Sequence, residues 1–335
     1  MNNFKKIGLS ALAGSLATVS AHAVDYAVTG DAILTWMSAE GNGNGSSTSN
    51  GKGIGMDSDL YFNASGELDN GWTVSVFQAL NTDGTITNSS SQMTIGMGSL
   101  GTVMIADVAA GSSANGIDDI SPNAYEESWD NTTGTANIQG FGDNTTAGAV
   151  EYRTPAFDFM GASISATYAY DSAANVAAPS AGGVADGAQS GDAGTVKVTY
   201  EGLTLGAGYE TVNDDGTTTG EKGGTAYAKY SMGPITASYQ ETYINSAGGA
   251  ADISGDIMGV SYTAGDITIS YSQLNEQTKA IASTAALQEE EFTTTQIAYS
   301  MGAMAIRAAL FESDNLDGVA GDKYEATELS VSFSF

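Results

Sequence analysis

The last seven residues of the chain alternate between apolar and hydroxyl side chains. Leu329, Val331, Phe333 and Phe335 are apolar, and a serine separates each of them from the next. Because successive side chains of a β-strand point to opposite faces, this segment predicts a strand with one apolar and one polar face. Such a strand either packs its apolar face on a protein core or exposes it to lipid.

The same two-residue period recurs along the chain and predicts sixteen strands. In the second strand, Ile54 and Met56 lie on one face, and Asp57 and Asp59 lie on the other. The predicted strands cover residues 26–37, 54–64, 72–79, 92–97, 103–107, 150–154, 163–170, 196–200, 203–209, 226–232, 235–243, 255–262, 267–273, 292–301, 304–311 and 324–335.

Short and long connections alternate between these strands. Short turns are predicted near residues 70, 99, 157, 202, 234, 265 and 302, and the other connections are longer and rich in Gly, Ser, Asn and Asp. Transmembrane β-barrels have short turns at one rim and longer loops at the other, and a closed barrel leaves no strand edge in lipid. The predicted fold class is therefore all-β, a 16-stranded antiparallel transmembrane β-barrel.

The first 23 residues have the three parts of a secretory signal peptide. Lys5 and Lys6 precede an apolar stretch over residues 7–19, and Ala21-His22-Ala23 resembles a cleavage site. The apolar run is too short to span a bilayer. We therefore expect a signal peptide at 1–23 and a barrel at 24–335, exported to the cell outer membrane.

Composition argues against several kinds of function. The chain has no Cys, and its one His, His22, lies within the predicted signal peptide. Catalytic triads and metal sites that need His or Cys are therefore not expected. With 39 acidic and 10 basic residues and a net charge of −29, the chain offers no basic surface for nucleic acid. We expect neither an enzyme nor a required cofactor.

The longest connection, here called the third loop, covers residues 108–146. It contains the acids Asp118, Asp119, Glu126, Glu127 and Asp130 among large apolar residues such as Ile117, Tyr125, Trp129 and Phe141. A long loop with this many apolar side chains is expected to pack against another part of the protein. It either enters the barrel or forms an external lid over the mouth.

The whole chain after the signal peptide resembles the bacterial general porins, most closely those of the alphaproteobacteria. The resemblance is carried by residues 29–32, the turn at 96–101, the acidic third loop, residues 152–155 and the terminal Phe335. It implies an inward-folded third loop that narrows a channel for ions and small hydrophilic solutes. It also implies a homotrimer in contact with outer-membrane lipid and lipopolysaccharide, and recognition of Phe335 by the barrel assembly machinery.

One departure from the family pattern concerns charge. Such porins often place inward-pointing arginines on the second strand, where this chain has Asp57 and Asp59. Strand parity predicts that Asp31 also points inward, and that the inward-facing basic residues are Arg153, Lys197, Lys229 and Arg307. An acidic loop facing an acidic wall favours a pore that prefers cations. Pairing of the loop acids with those basic residues would instead leave a nearly neutral constriction.

Alternative interpretations remain for the protein as a whole and for two loops. The channel could be specific for a small polar nutrient, and a β-rich adhesin would also account for the glycine content. The acidic residues near Asp314 and Asp317 could hold Ca²⁺ as clustered carboxylates. Residues 282–292 favour a short helix, with Glu289, Glu290 and Glu291 exposed to solvent at the rim.

Overall fold

The computed structural model describes residues 25–42, 50–81, 86–108, 112–130, 136–145, 148–174, 189–213, 220–245, 251–280 and 287–335. The predicted signal peptide at 1–23 lies outside these residues. Among the described residues, no helix is long and apolar enough to cross a membrane.

The described residues form one antiparallel sheet of seventeen strand segments. The segments are β1 (Asp25–Gly41), β2 (Gly51–Glu67), β3 (Thr73–Asn81), β4 (Thr87–Gly96), β5 (Thr102–Val108), β6 (Ala149–Arg153), β7 (Phe157–Phe159), β8 (Ala162–Ala174), β9 (Gln189–Tyr200), β10 (Leu203–Val212), β11 (Lys222–Met232), β12 (Ile235–Asn245), β13 (Ala251–Ala264), β14 (Ile267–Ala280), β15 (Glu290–Met301), β16 (Met304–Asp314) and β17 (Lys323–Ser334). Short 3₁₀ turns lie at Gly98–Leu100, Asn115–Ile117, Asn137–Gly140, Asp143–Thr145 and Leu316–Gly318.

The sheet closes because β1 pairs with both β2 and β17. Both β6 and β7 pair with β8, so together they form one interrupted strand of a 16-stranded barrel. The interruption falls at Pro155, which has no N–H to donate to the sheet. The barrel prediction is confirmed, whereas the predicted turn over 155–161 is shorter than expected because it contains β7.

The prediction that Glu289, Glu290 and Glu291 are all exposed to solvent is wrong for Glu290. Strand β15 begins at Glu290, and this side chain is buried and accepts a hydrogen bond from the Asp317 backbone N–H at 2.9 Å. The described end of the predicted helix, residues 287–292, is non-helical, and residues 281–286 lie outside the described part.

Each strand has an apolar and a polar face. The apolar face is exposed and carries side chains such as Leu34, Met56, Val260 and Leu329. The polar face carries side chains such as Gln240, Ser270, Thr294 and Gln296, which are nevertheless buried. The third loop covers this part of the polar face, where its backbone is hydrogen-bonded to Gln240 and Gln296.

Candidate functional site

Two buried glutamines of the wall hold the acidic part of the third loop. Gln240 on β12 accepts a hydrogen bond from Ile120 N at 3.0 Å and donates to Ile117 O at 2.7 Å. Gln296 on β15 accepts from Tyr125 N at 2.7 Å and also donates to Glu126 O. Each amide thus serves the loop backbone as donor and as acceptor, as a neighbouring strand would. The two glutamines therefore hold the two ends of residues 117–126.

Three buried carboxylates of the wall hold the rest of the loop. Glu276 on β14 accepts from Ile138 N at 2.9 Å, and Glu210 on β10 accepts from Gly142 N at 2.9 Å and Asn144 N at 3.0 Å. Glu151 on β6 accepts from Ser113 N at 2.6 Å. Hydrogen bonds to charged groups contribute about 1.5–3 kcal/mol each, so these three carboxylates are strong anchors.

A hydrophobic cluster lies between the loop and the wall. Trp129, Ile138 and Phe141 of the loop belong to one buried cluster with wall residues such as Leu274 and Phe311. This packing meets the expectation that so many large apolar side chains in the loop contact another part of the protein. The described hydrogen bonds of the loop go to β6, β10, β11, β12, β14, β15 and β17, and Ala39 on β1 packs against the same hydrophobic cluster.

The five acids predicted for the constriction come together in the loop. Asp119 accepts hydrogen bonds from Ser121 N at 2.6 Å and Asn123 Nδ2 at 3.2 Å, and Asp130 accepts from Glu127 N at 2.8 Å. Glu127 interacts electrostatically with the other four acids. We call Asp118, Asp119, Glu126, Glu127 and Asp130 the acid cluster.

Burial and mutual repulsion change the ionisation of the acid cluster. Burial, together with repulsion from the other four acids, raises the pKa of Glu127 to about 8. Burial, with the hydrogen bond and charge of Asp130, raises the pKa of Glu126 to about 8. Burial also raises the pKa of Asp118 to about 6. For Asp119, burial raises the pKa and the charge of Lys229 opposes that shift.

The four predicted basic residues all lie on the polar face, and three of them have hydrogen-bond or ion-pair partners outside the acid cluster. Arg153 forms an ion pair with Glu151. Lys229 Nζ donates to Ile120 O at 3.0 Å, and Arg307 donates to Ser332 Oγ at 2.8 Å. The Arg307 guanidinium also lies 5.2 Å from the centre of the Tyr125 ring, a cation–π contact. In the described parts of the chain, no acid of the cluster forms an ion pair with a wall cation.

The three predicted wall acids lie together on strands β1 and β2. Asp31 is paired in register with Asp59, and Tyr61 Oη donates to Asp31 Oδ2 at 2.8 Å. Asn81 Nδ2 donates to Asp57 Oδ1 at 3.3 Å. Their face is the one opposite to Leu34 and Met56, as strand parity predicted. We call Asp31, Asp57 and Asp59 the wall acids.

The last residue completes the closure of the barrel. Phe335 N donates to Gly30 O at 2.9 Å, and Gly30 N donates to Phe335 O at 2.7 Å. The Phe335 ring is 70% exposed on the apolar side. The predicted assembly signal therefore lies at the seam between β17 and β1.

Sequence reasoning missed the residues that anchor the loop. Gln240, Gln296, Glu210 and Glu276 look like ordinary lumen-facing positions of alternating strands. The sequence distinguishes these four residues only by their long polar side chains, because most other residues on the same face of these strands are Ser, Thr or Gly. Among the residues that the structure describes, no three or more His, Cys, Asp or Glu side chains are arranged to hold a metal ion.

The comparisons with known proteins agree with this geometry. A model of the Gram-negative porin family matches residues 8–335, almost the whole chain. The chain belongs to the Gram-negative porin family. It is therefore an outer-membrane channel protein and not an enzyme. No curated protein sequence matches this porin.

Solved porin structures share its fold at low sequence identity. The Salmonella typhi OmpF complex with daunomycin is 11% identical with a TM-score of 0.68, covering 95% of this porin and 99% of that chain. The anion-selective porin from Comamonas acidovorans is 14% identical with a TM-score of 0.65, covering 93% and 100%. The trimer form of Vibrio cholerae OmpT is 10% identical with a TM-score of 0.66, also covering 93% and 100%.

Proposed function

We propose that this porin allows passive diffusion of ions and small hydrophilic solutes and that it prefers cations. The acid cluster carries the proposal, since its five side chains lie together without an ion pair to a wall cation among the described residues. Glu126 and Glu127 add their charge to the cluster as the pH rises through about 8. The wall acids on β1 and β2 add charge of the same sign.

The proposed path runs beside the third loop. The described hydrogen bonds of the loop go to β6, β10, β11, β12, β14, β15 and β17, and Met104 and Ala106 on β5 are buried. The proposed path therefore follows the polar face of β1–β4, which carries the wall acids. The loop narrows the lumen from one side, with the acid cluster on it, and the wall acids lie on the other. This arrangement supports a constriction that is acidic on both sides.

The charges of this chain, rather than its fold, argue for cation preference. The Comamonas acidovorans porin has a similar fold and is anion-selective, so the barrel alone does not set selectivity. A unit charge about 4 Å from a passing ion contributes roughly 1–4 kcal/mol at effective dielectric constants between 80 and 20. Screening over about 8 Å at physiological salt keeps the preference moderate.

Removing two wall acids is expected to reduce the cation preference. The zero-current potential of single channels in a KCl gradient should show cation preference in the wild type and a smaller one in Asp57→Asn/Asp59→Asn. The matched control is Glu312→Gln/Glu325→Gln, which removes the same charge from a pair of residues on the apolar face. Anion preference in the wild type would refute the proposal.

Cation preference is also expected to rise with pH. A carboxyl group with a raised pKa is neutral below that pKa and charged above it, so Glu126 and Glu127, with pKa values of about 8, gain their charge between about pH 7 and 9. The zero-current potential should therefore move toward the cation limit over this range. Glu126→Gln/Glu127→Gln should flatten the change, and an equally steep change in that variant would contradict the assignment.

We also propose that three copies associate. Of the exposed tyrosines, all but Tyr26 lie on β6–β15. Strands β16, β17 and β1–β5 instead expose aliphatic side chains such as Ile54 and Met56, beside small residues such as Ala32 and Ala64. Interfacial tyrosines suit a surface that meets lipid, including lipopolysaccharide, and a sector with few of them suits another subunit. Vibrio cholerae OmpT has a trimer form. A native mass in mild detergent that shows only monomer would refute the trimer.

A further inference from the structure

A cavity of about 500 Å³ lies between the start of the third loop and the wall strands β8–β11. The loop contributes Asp119 and Ser121, and the wall contributes Lys197, Tyr227 and Lys229. It lies on the polar face, and its lining residues Thr204 and Lys229 are near the short turns at the ends of β10 and β11. This cavity holds groups of both charges, unlike the acid cluster as a whole.

Two lysines line the wall side of the cavity. Lys197 and Lys229 lie on the same face of β9 and β11, which are separated only by β10. Strands lie 4.7–4.9 Å apart and the two lysines are offset by two residues along them, so their Cα atoms are about 12 Å apart. Two long lysine side chains can converge on one small solute over this distance. Lys197 is exposed and has no hydrogen bond or ion pair to another described residue.

The floor of the cavity depends on a glycine. Gly206 lies between Lys197 and Tyr227 in the strand register, and the Tyr227 ring lies over it. A Cβ atom at position 206 would be 2.2 Å from the ring atom Cζ of Tyr227. The glycine therefore allows the ring to lie flat beside the two lysines.

The loop side of the cavity carries the carboxylate of Asp119. Asp119 and Lys229 both line the cavity, and the charge of Lys229 favours the ionised form of Asp119. Ser121 also lines the cavity, but its Oγ atom lies toward Gly259 on β13. Asp119 is therefore the charged group that the loop contributes to the cavity.

We propose that this cavity transiently binds small dipolar solutes that carry one carboxylate and one ammonium group. Lys197 and Lys229 hold the carboxylate, and Asp119 attracts the ammonium group. A simple cation is repelled by the lysines, and a dianion such as phosphate is repelled by Asp119 and by the negative charge of the protein. The inference rests on the proposed function, since the solute must reach the cavity through the lumen.

The test compares two isomers in single-channel recordings. Alanine is dipolar and lactamide is an uncharged molecule of the same composition, so size and viscosity effects cancel. In KCl, alanine should reduce the wild-type current at lower concentration than lactamide does. In Lys197→Gln/Lys229→Gln, the half-blocking concentration of alanine should rise about fivefold, which corresponds to about 1 kcal/mol.

Controls separate this inference from the cation preference. Lys222→Gln changes a lysine on β11 at a position that faces the other side of the strand, and it should leave the alanine block unchanged. Lys197→Gln alone changes a side chain that has no described partners. If the double variant folds poorly, this single variant replaces it in the alanine-block measurement. Equal block by alanine and lactamide, or an unchanged block in the lysine variants, would overturn the inference. A stronger lysine-dependent block by inorganic phosphate would also overturn it. The zero-current potential, measured in the same bilayers, tests the cation preference separately.

Discussion

Replacing Gly142 with alanine is expected to release the second part of the third loop from the wall and to increase single-channel conductance. Gly142 has a φ of +88°, a conformation that L-residues rarely adopt. A Cβ atom there would be 2.2 Å from Asn115 N and 2.6 Å from Ala114 C, which are backbone atoms that cannot rotate away. The unfavourable backbone conformation alone costs roughly 1–3 kcal/mol, and the overlap adds to it.

The loss of Gly142 also disturbs an anchor. Gly142 N donates to Glu210, which in turn accepts from Asn144 N. A shift of the backbone at 142 would leave the buried Glu210 carboxylate with fewer donors, which is costly for a charged group. The barrel itself should still fold, because its strand pairing does not involve Gly142.

Gly140→Ala is the matched control for this variant. Gly140 has no atom within 4 Å of the position that a Cβ would take. Gly140→Ala should therefore keep the wild-type conductance. Heat-modifiable migration on gels should show a folded barrel for Gly140→Ala and for Gly142→Ala. Equal conductance of Gly142→Ala and Gly140→Ala would contradict the role given to the anchored loop.

Deleting Phe335 is expected to lower the amount of folded barrel in the outer membrane by at least about tenfold. The deletion removes both backbone hydrogen bonds between Phe335 and Gly30 at the seam. An unsatisfied backbone group in lipid costs several kcal/mol, and about 1.4 kcal/mol already changes an equilibrium tenfold. It also removes an apolar ring that lies on the lipid-facing side.

Two substitutions separate the contributions at this seam. Phe335→Ser keeps the backbone hydrogen bonds and removes the ring, whereas Ser334→Ala changes a neighbouring side chain on the other face. If the ring is the assembly signal, Phe335→Ser should resemble the deletion, and Ser334→Ala should resemble the wild type. Equal amounts of heat-modifiable barrel in the deletion and in Ser334→Ala would refute the prediction.

The strand pattern was predictable because it is local. The two-residue period placed Asp57 and Asp59 on the polar face, and the register with Asp31 agrees. The position of β7 was not predictable from this rule, since Pro155 interrupts a strand that continues beyond it. Glu290 was assigned to solvent because a run of three glutamates looks exposed, although strand alternation buries the middle one.

The loop anchors were not predictable for a different reason. Gln240 and Gln296 are buried because a non-periodic loop, more than a hundred residues away in sequence, lies on them. No local pattern tells which strands such a loop covers. The residues of the acid cluster were predictable from the composition of the loop. The absence of ion pairs between these acids and the wall cations was not, because Lys229 and Arg307 bond to Ile120 O and Ser332 Oγ instead.

The placement of the third loop against β6 and β8–β17 also bears on how subunits would communicate. The proposed path then runs off centre, along the inner side of the same strands whose outer side is proposed to meet a neighbouring subunit. On β1, Asp31 belongs to the path, and the next residue, Ala32, belongs to the contact surface. In a trimer of this kind, three conduction paths approach the common axis. The Debye length grows from about 8 Å at physiological salt to about 30 Å at 0.01 M, so we expect any electrical coupling between neighbouring paths to appear only at low salt.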